Sequence, residues 1–247
     1  MTRGAVPVVW LQFYDDFVTQ GPVTSFIPRY AALLLGVFSS TAAWAQSDQQ
    51  LWAVTSATAK LGDKWRLSEE IVARFSDQRN GLYEIESNTL VGRVVGKGVT
   101  VWAGYTHDPQ YAGGHFTIME HRAREQVTFD NLAQLGRGKL SGRLRFEQRW
   151  RRGLDGTGWR LRPYVKYSLP VHGKVALNLS AEPFFNLNRT SFQKQSGLDR
   201  VRSLISISAP LSKRLTGEAG YMNQHGFVRS APDTDDHIAY FALSLSV

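Results

Sequence analysis

A period of two in side-chain polarity runs along the chain from Leu51 to its end. In the clearest stretch, Arg143 to Arg151, arginine or glutamate occupies every second position and leucine, phenylalanine, glutamine or tryptophan occupies the others. Successive side chains of a β-strand point to opposite faces, so this alternation predicts strands whose two faces meet different surroundings. Glu69 departs from the pattern by interrupting the apolar face of the segment 65–76. No helical period is sustained in this part of the sequence, which indicates an all-β fold.

Strand-like segments follow one another through the whole of this region. They cover 51–61, 65–76, 83–95, 98–107, 116–129, 138–151, 158–169, 174–187, 199–209, 213–224 and 237–247. Each is long enough to cross a membrane as a tilted strand, which takes roughly 9–11 residues. Short connections alternate with longer polar ones, and the longer ones lie at 107–115, 151–158, 188–198 and 225–236. Short periplasmic turns and longer outer loops produce this alternation in bacterial outer-membrane barrels.

The pattern therefore predicts an antiparallel transmembrane β-barrel of about 10–12 strands. Bacterial barrels of this kind have an even number of strands, so a count of eleven segments indicates an error of one. Two segments are the candidates for that error. The segment 51–61 has the least regular alternation, and 116–129 has a composition that would suit a helix.

The C-terminal segment carries an uninterrupted apolar face made of Ala239, Phe241, Leu243, Leu245 and Val247. Outer-membrane barrels typically end in such a strand, which the barrel assembly machinery recognises. That machinery is therefore an expected partner. A terminal aromatic residue is the usual form, and Val247 departs from it.

Residues 29–46 have the layout of a secretory signal peptide, with a positive charge at Arg29, a short apolar run and small residues at Ala43 and Ala45. The apolar run is too short for a permanent membrane helix, which needs about 20 residues. A buried helix is the alternative interpretation. We predict cleavage near Ala45, so that 1–45 form an N-terminal extension with the signal peptide and 46–247 form a barrel in the bacterial outer membrane. The preface 1–28 is unusually long, and translation is expected to start downstream of Met1, near Val23.

The net charge of +8 would suit a nucleic acid, an anionic membrane surface or an anionic solute. Nucleic acid is not expected, because the arginines from Arg149 to Arg152 lie mainly on alternate positions of a predicted membrane strand and would not form an exposed stripe. The chain has no cysteine, which excludes disulfides and thiolate metal sites. We expect neither a metal nor another cofactor.

The charged face of each strand is expected to point into the barrel, because a charge facing lipid at the bilayer midplane costs about 2–4 kcal/mol. Basic residues outnumber acidic ones on that face. Two interpretations remain open. The charges either pair across strands as a structural salt-bridge network that fills the barrel, or they form a narrow passage that attracts a small anionic solute. The candidate site residues are Glu120, Arg122, Arg124, Arg143, Arg145, Glu147, Arg149, Arg160, Arg162, Glu182, Arg200 and Arg202.

A lipid-modifying enzyme of the acyl hydrolase type, with a loop histidine, is the alternative function. Outer-membrane lipid and lipopolysaccharide are expected neighbours of the barrel in either case. The histidines in or beside predicted outer loops are His107, His115, His225 and His237. The sequence contains neither a Gly-x-Ser-x-Gly elbow nor a His-Glu-x-x-His metal motif, so we expect no enzyme.

Several combinations of residues on the predicted strands are distinctive as a set. They are Glu120-His121-Arg122 with Gln126, the run from Arg143 to Arg149, Arg160-Leu161-Arg162, Glu182-Pro183-Phe184-Phe185, and the run from Gly220 to Gln224. In this order and spacing they resemble the domain of unknown function 2490 family, a set of predicted outer-membrane proteins. The resemblance covers about 51–247. It implies a location and a fold, and it supplies no catalytic residue.

Overall fold

The computed structural model describes residues 46–247, and every regular element in that range is a β-strand. The strands are β1 (Gln46–Leu61), β2 (Trp65–Ser76), β3 (Gly81–Gly96), β4 (Val99–Ala112), β5 (His115–Leu135), β6 (Gly138–Arg151), β7 (Gly158–His172), β8 (Val175–Asn186), β9 (Gly197–Pro210), β10 (Leu215–Gly226) and β11 (Thr234–Ser246). The predicted signal peptide and N-terminal extension lie outside the described residues.

The strands form one closed barrel. Each strand pairs antiparallel with the next along the chain, and β1 pairs with β11 in parallel to complete the circle. The all-β barrel predicted from the sequence is confirmed. The expectation of an even strand number is wrong, because a parallel closing pair lets an odd number of strands form a complete ring.

Both segments suspected of being miscounted are strands. The helix-favouring residues of 116–129 belong to β5, which is hydrogen-bonded to β4 on one side and to β6 on the other. Residues 51–61 belong to β1, which lies between β2 and β11. Pairing on both edges satisfies the backbone throughout, and it outweighs the weak local preference for a helix.

The connections lie at two ends of the barrel. The turn end carries 62–64, 97–98, 136–137, 173–174 and 211–214, and the loop end carries 77–80, 113–114, 152–157, 187–196 and 227–233. The long loop predicted at 107–115 is wrong, because β4 and β5 continue to a two-residue turn. Gly113 and Gly114 both have positive φ angles, 55° and 79°, as a tight hairpin turn of this kind requires.

The two faces of the barrel wall differ in polarity. Large apolar side chains such as Leu144, Val165 and Ile205 are exposed on the outer wall, whereas charged side chains such as Arg162 and Glu147 are buried on the inner wall. Most of the charged inner wall comes from β3 to β9. On the side of β1, β2, β10 and β11 the interior contains an apolar sector, with one cluster of Trp52, Met222 and Ile238 and another of Val54, Val72 and Ala242. The charge pattern of the sequence did not indicate this apolar sector.

The outer wall carries acidic exceptions between β2 and β6. Glu69, which breaks the sequence alternation, does lie on the outer wall, where its carboxylate accepts hydrogen bonds from Ser87 Oγ (2.8 Å) and Thr89 Oγ1 (2.5 Å). Glu125 on β5 accepts a longer bond from Gln148 Nε2 (3.4 Å). Neither carboxylate forms a salt bridge within the described residues.

Candidate functional site

All twelve predicted site residues lie on the inner wall, at alternate positions of β5 to β9. Nine of them are buried, and the side chains of Arg143, Arg200 and Arg202 are partly exposed. Alternation on consecutive antiparallel strands brings these side chains together, since neighbouring strands lie about 4.8 Å apart. We call this set the arginine–glutamate network.

Glu120 accepts hydrogen bonds from three arginines of the inner wall. It is fully buried and accepts hydrogen bonds from Arg122 Nε (2.6 Å), Arg149 Nε (2.8 Å) and Nη2 (3.0 Å), and Arg151 Nε (2.6 Å). Arg122 also contacts Asp108 on the neighbouring strand. Three guanidinium groups therefore surround a single carboxylate.

Glu147 and Glu182 are joined through a shared arginine. Glu147, also fully buried, accepts bonds from Arg160 Nε (2.7 Å) and Arg162 Nη1 (2.8 Å). Arg162 also donates through Nη2 to both oxygens of Glu182 (3.0 Å each), which further accepts a bond from Arg143 Nη2 (2.5 Å). A buried charge is stable only when it is paired and hydrogen-bonded, and each of these carboxylates has two guanidinium partners.

Other arginines of the network hydrogen-bond to neutral acceptors. Arg145 donates through Nε to Gln126 Oε1 (3.0 Å), and Arg202 donates through Nε to Gln224 Oε1 (2.7 Å). Arg124 donates to Asn88 Oδ1 and to Thr106 Oγ1. Amides and a hydroxyl therefore orient guanidinium groups for which the network has no close carboxylate.

The predicted site omits acidic residues that the structure places on the inner wall. Asp108 contacts Arg122, while Asp48 and Asp236 line the interior near the loop end. They were missed because the predicted strands stopped at 107 on β4 and began at 51 on β1 and 237 on β11, short of the observed ends. Had the alternation been continued by a few residues, all three would have fallen on the inner face. The basic excess of the lumen is smaller than predicted.

Two buried aromatic rings lie among the guanidinium groups. Phe184, 1% exposed, has Arg162 at 4.2 Å, Arg202 at 4.5 Å, Arg160 at 5.2 Å and Arg200 at 5.7 Å from its ring centroid. The ring of Trp52 lies 4.2 Å from Arg74 and 4.5 Å from Arg202. A cation over an aromatic face gains about 0.5–2 kcal/mol, so these rings add to the stabilisation that the carboxylates give the same guanidinium groups. In the sequence, Phe184 was noted only within the combination Glu182-Pro183-Phe184-Phe185 that carries the family resemblance.

The interior contains two cavities. The larger, of about 560 Å³, lies at the loop end, and a second of about 250 Å³ lies deeper in the barrel. Five residues line both cavities and so lie at the level where the cavities meet; we call these five the dividing layer. They are Trp52, Arg74, Glu86, Arg162 and Arg202.

The loop 187–196 forms part of the wall of the larger cavity, at the loop end. Gln193 in this loop is 3% exposed, donates to the backbone oxygen of Trp159 (3.2 Å) and accepts a bond from Arg149 Nη1 (3.1 Å). Gln195 Nε2 donates to the backbone oxygen of Phe227 in the neighbouring loop (2.5 Å). Side-chain bonds thus hold both loops together at the mouth of the barrel.

Residues 49–235 match the family described as "Protein of unknown function (DUF2490)". The chain belongs to the DUF2490 family. The family resemblance predicted from the sequence motifs is therefore confirmed. An uncharacterized protein of Methylorubrum extorquens is similar to this DUF2490 chain, with 28% identity over 219 residues that cover 85% of the chain and 95% of the relative.

Of the four histidines predicted in or beside outer loops, His107 lies well inside a strand, whereas His225 and His237 are strand residues close to the loop 227–233 of this DUF2490 barrel. His107, His225 and His237 lie within β4, β10 and β11, while His115 is the first residue of β5. The side-chain partners of the strand histidines are tyrosine or aspartate: His121 contacts Tyr105, His237 contacts Tyr221 and His225 contacts Asp235. Across 46–247, no histidine hydrogen-bonds to a serine.

Within the described range, no group of three or more histidine, cysteine, aspartate or glutamate residues is arranged to hold a metal ion. Residues 46–247 contain no helix that is long and apolar enough to span a membrane.

Proposed function

We propose that the protein is an outer-membrane β-barrel whose lumen is closed by the arginine–glutamate network. The observation that carries the proposal is the dividing layer, because Arg74 and Arg162 are each paired with two glutamates at the level where the two cavities meet. The network is then a structural plug, and no catalytic step is assigned to it. The loop end would face the outside of the cell, as long loops do in such barrels.

The outer wall supports a membrane location. Trp65 and Phe75 lie near opposite ends of β2, with Leu67 and Ile71 exposed between them. At the usual rise and tilt of barrel strands, the ten residue steps from Trp65 to Phe75 span about 25 Å along the barrel axis. That length equals the apolar band of outer-membrane barrels, which aromatic residues flank on both sides.

The bonding of the network supports a closed lumen over an anion passage. A passage selects anions when a ring of basic groups is free to replace the hydration of the ion. Arg162 in the dividing layer instead bonds Glu147 and Glu182, and Arg74 bonds Glu84 and Glu86. An ion passing this level would have to break these pairs.

Membrane fractionation tests the location. The mature chain should be found in the outer membrane, beginning near Gln46 and giving a circular dichroism spectrum dominated by sheet. Recovery of the chain from the cytoplasm with 29–45 intact would reject the proposal. The lipid and lipopolysaccharide of cells that overproduce the protein should be chemically unchanged, and altered acyl chains would favour an enzyme instead.

Conductance in a planar bilayer tests the closure. The refolded wild-type barrel should give almost no current, whereas Arg162→Ala with Trp52→Ala should open the dividing layer and give measurable steps. Arg66→Ala is the matched control, because Arg66 hydrogen-bonds turn carbonyls at the turn end, away from the dividing layer. Stable, anion-selective currents from the wild-type barrel would show that the lumen is open.

A further inference from the structure

The cavity at the loop end has a basic lining and a closed floor. Ten basic and five acidic side chains line it, and the dividing layer forms its base. Its volume of about 560 Å³ lies within the range of small-molecule binding sites, which is about 300–1,000 Å³.

The charges of this cavity are unevenly distributed between its walls, with Asp199 beside Arg200 on the more basic side and Arg74 and Arg79 on the side next to β1. Arg151, Arg160 and Arg200, at the loop-end parts of β6, β7 and β9, contribute to one wall, and Lys194 of the loop 187–196 lies with them. Asp48 and Asp236, from β1 and β11, contribute to the other. An anion would therefore be attracted to the wall formed by β6, β7 and β9 and repelled from the wall formed by β1 and β11.

Several donors on the basic wall are not used inside the protein. Arg151 and Arg200 each bond a carboxylate through Nε, to Glu120 and to Asp199, and their terminal nitrogens have no acceptor within the described residues. Lys194 Nζ has no hydrogen-bond partner there either. The side chains of Arg151 and Arg200 are 24% and 36% exposed, so their free ends are accessible from the cavity.

We propose that this basic wall binds a small multivalent anion of the phosphate or polycarboxylate class, with Arg151, Arg200 and Lys194 as its donors. The inference rests on the proposed closed lumen, because a closed lumen makes the cavity a binding site and not one part of a transport path. Guanidinium groups match the oxygen pairs of phosphates and carboxylates. Because the donors lie on different strands, an anion that contacts several of them must offer several oxygens. A free solute is the expected source, since the acyl chains of a lipid would have to enter a strongly polar cavity.

Calorimetric titration of the refolded barrel in neutral detergent with inorganic pyrophosphate tests the site. Saturable binding is expected, and Arg151→Gln and Arg200→Gln should each weaken it about tenfold, since each removes charge-assisted hydrogen bonds. Lys194→Gln gives a third measurement should an arginine variant fail to fold. Arg137→Gln is the matched control, because it removes the same charge from the turn end, where Arg137 bonds the Pro170 carbonyl.

Absence of saturable binding, or an equal loss in Arg137→Gln, would overturn the site. Competition by phosphatidylglycerol mixed into the micelles would overturn the free solute as the source and identify a lipid head group. The titration requires neither membrane insertion nor a closed pore. A barrel that conducts ions yet binds pyrophosphate would reject the closed lumen and retain the site, and a silent barrel that binds nothing would do the reverse.

Discussion

Glu147 shows what a charge inside this barrel depends on. It is fully buried, and its carboxylate accepts bonds from Arg160 and Arg162. Replacing it with alanine would leave both guanidinium groups without their shared partner. Breaking a buried pair in this way typically destabilises a protein by about 3–5 kcal/mol. We expect Glu147→Ala to lower the free energy of unfolding by an amount in that range, measured by guanidinium denaturation in lipid vesicles.

Two further variants show whether the loss of stability comes from the charge of Glu147, from its volume or from its place inside the barrel. Glu147→Gln keeps the volume and removes the charge, and it should lose most of the same stability. Glu125→Gln removes a carboxylate from the outer wall, where Gln148 at 3.4 Å is the bonding partner, and should not destabilise the barrel. Wild-type stability in both Glu147 variants would mean that water solvates this position and that the network is not a plug.

The predicted site identified the side of the wall correctly but could not identify the partners. Alternation alone assigns Glu147 to the inner wall, since a side chain's face depends only on its position parity. Its bond with Arg160 depends in addition on the pairing register, in which these two residues are opposite each other. A shift of two residues would keep every face and change every pair on the wall, and the alternation does not distinguish between such registers.

On β2, the partly exposed carboxylate of Glu69 lies on the outer wall, where the proposed membrane location would place a charge against lipid. Its hydrogen bonds from Ser87 and Thr89 satisfy the oxygens but do not neutralise the charge. A charge on the lipid face costs up to about 2–4 kcal/mol at the midplane and less for an acidic residue. Glu69→Leu should therefore stabilise the barrel in lipid vesicles by about 1 kcal/mol, measured as a higher denaturation midpoint. A lower midpoint would show that this part of the wall does not face lipid.

The last strand, β11, is hydrogen-bonded on both edges, to β10 and to β1. Removing 238–247 would leave two unpaired edges and would delete Phe241 and Leu243 from the apolar outer face. The truncated chain should remain unassembled and be digested by protease added to a membrane preparation. A matched deletion of three residues from the loop 227–233 should assemble normally. Wild-type membrane levels of the truncated chain would contradict a barrel closed by β11.

Strand positions were predicted better than connections. All eleven segments correspond to strands, because the alternation is long and regular in each. The prediction of a loop at 107–115 was wrong because its polar residues belong to the ends of β4 and β5. Beyond the apolar part of the outer wall, polar residues occur in strands as well as in loops, so polarity does not distinguish them. The two glycines at 113 and 114 were the better indication of the connection.

At the scale of the whole molecule, the number of strands was the least accurate prediction from the sequence, because an even number was expected and the barrel has eleven strands. Eleven segments were visible, but a rule drawn from other barrels argued for an even number. Nothing in the residues of β1 or β11 marks them as parallel neighbours, since their partnership arises only when the ring closes. The outcome depends on the curvature of the whole sheet and not on any one segment.

The parallel contact between β1 and β11 makes one joint of the ring unlike the other ten. Parallel pairing is slightly weaker per residue than antiparallel pairing, and part of this joint carries small side chains, as at Ala57 and in the Ser56–Ser244 hydroxyl pair. Its amides should exchange with deuterium sooner than those between β5 and β6. Since the chain has no cysteine, Thr55→Cys with Leu243→Cys would place a single disulfide across facing positions and should slow that exchange. A barrel whose lumen is closed would then still have one joint, between β1 and β11, at which the wall itself can open sideways.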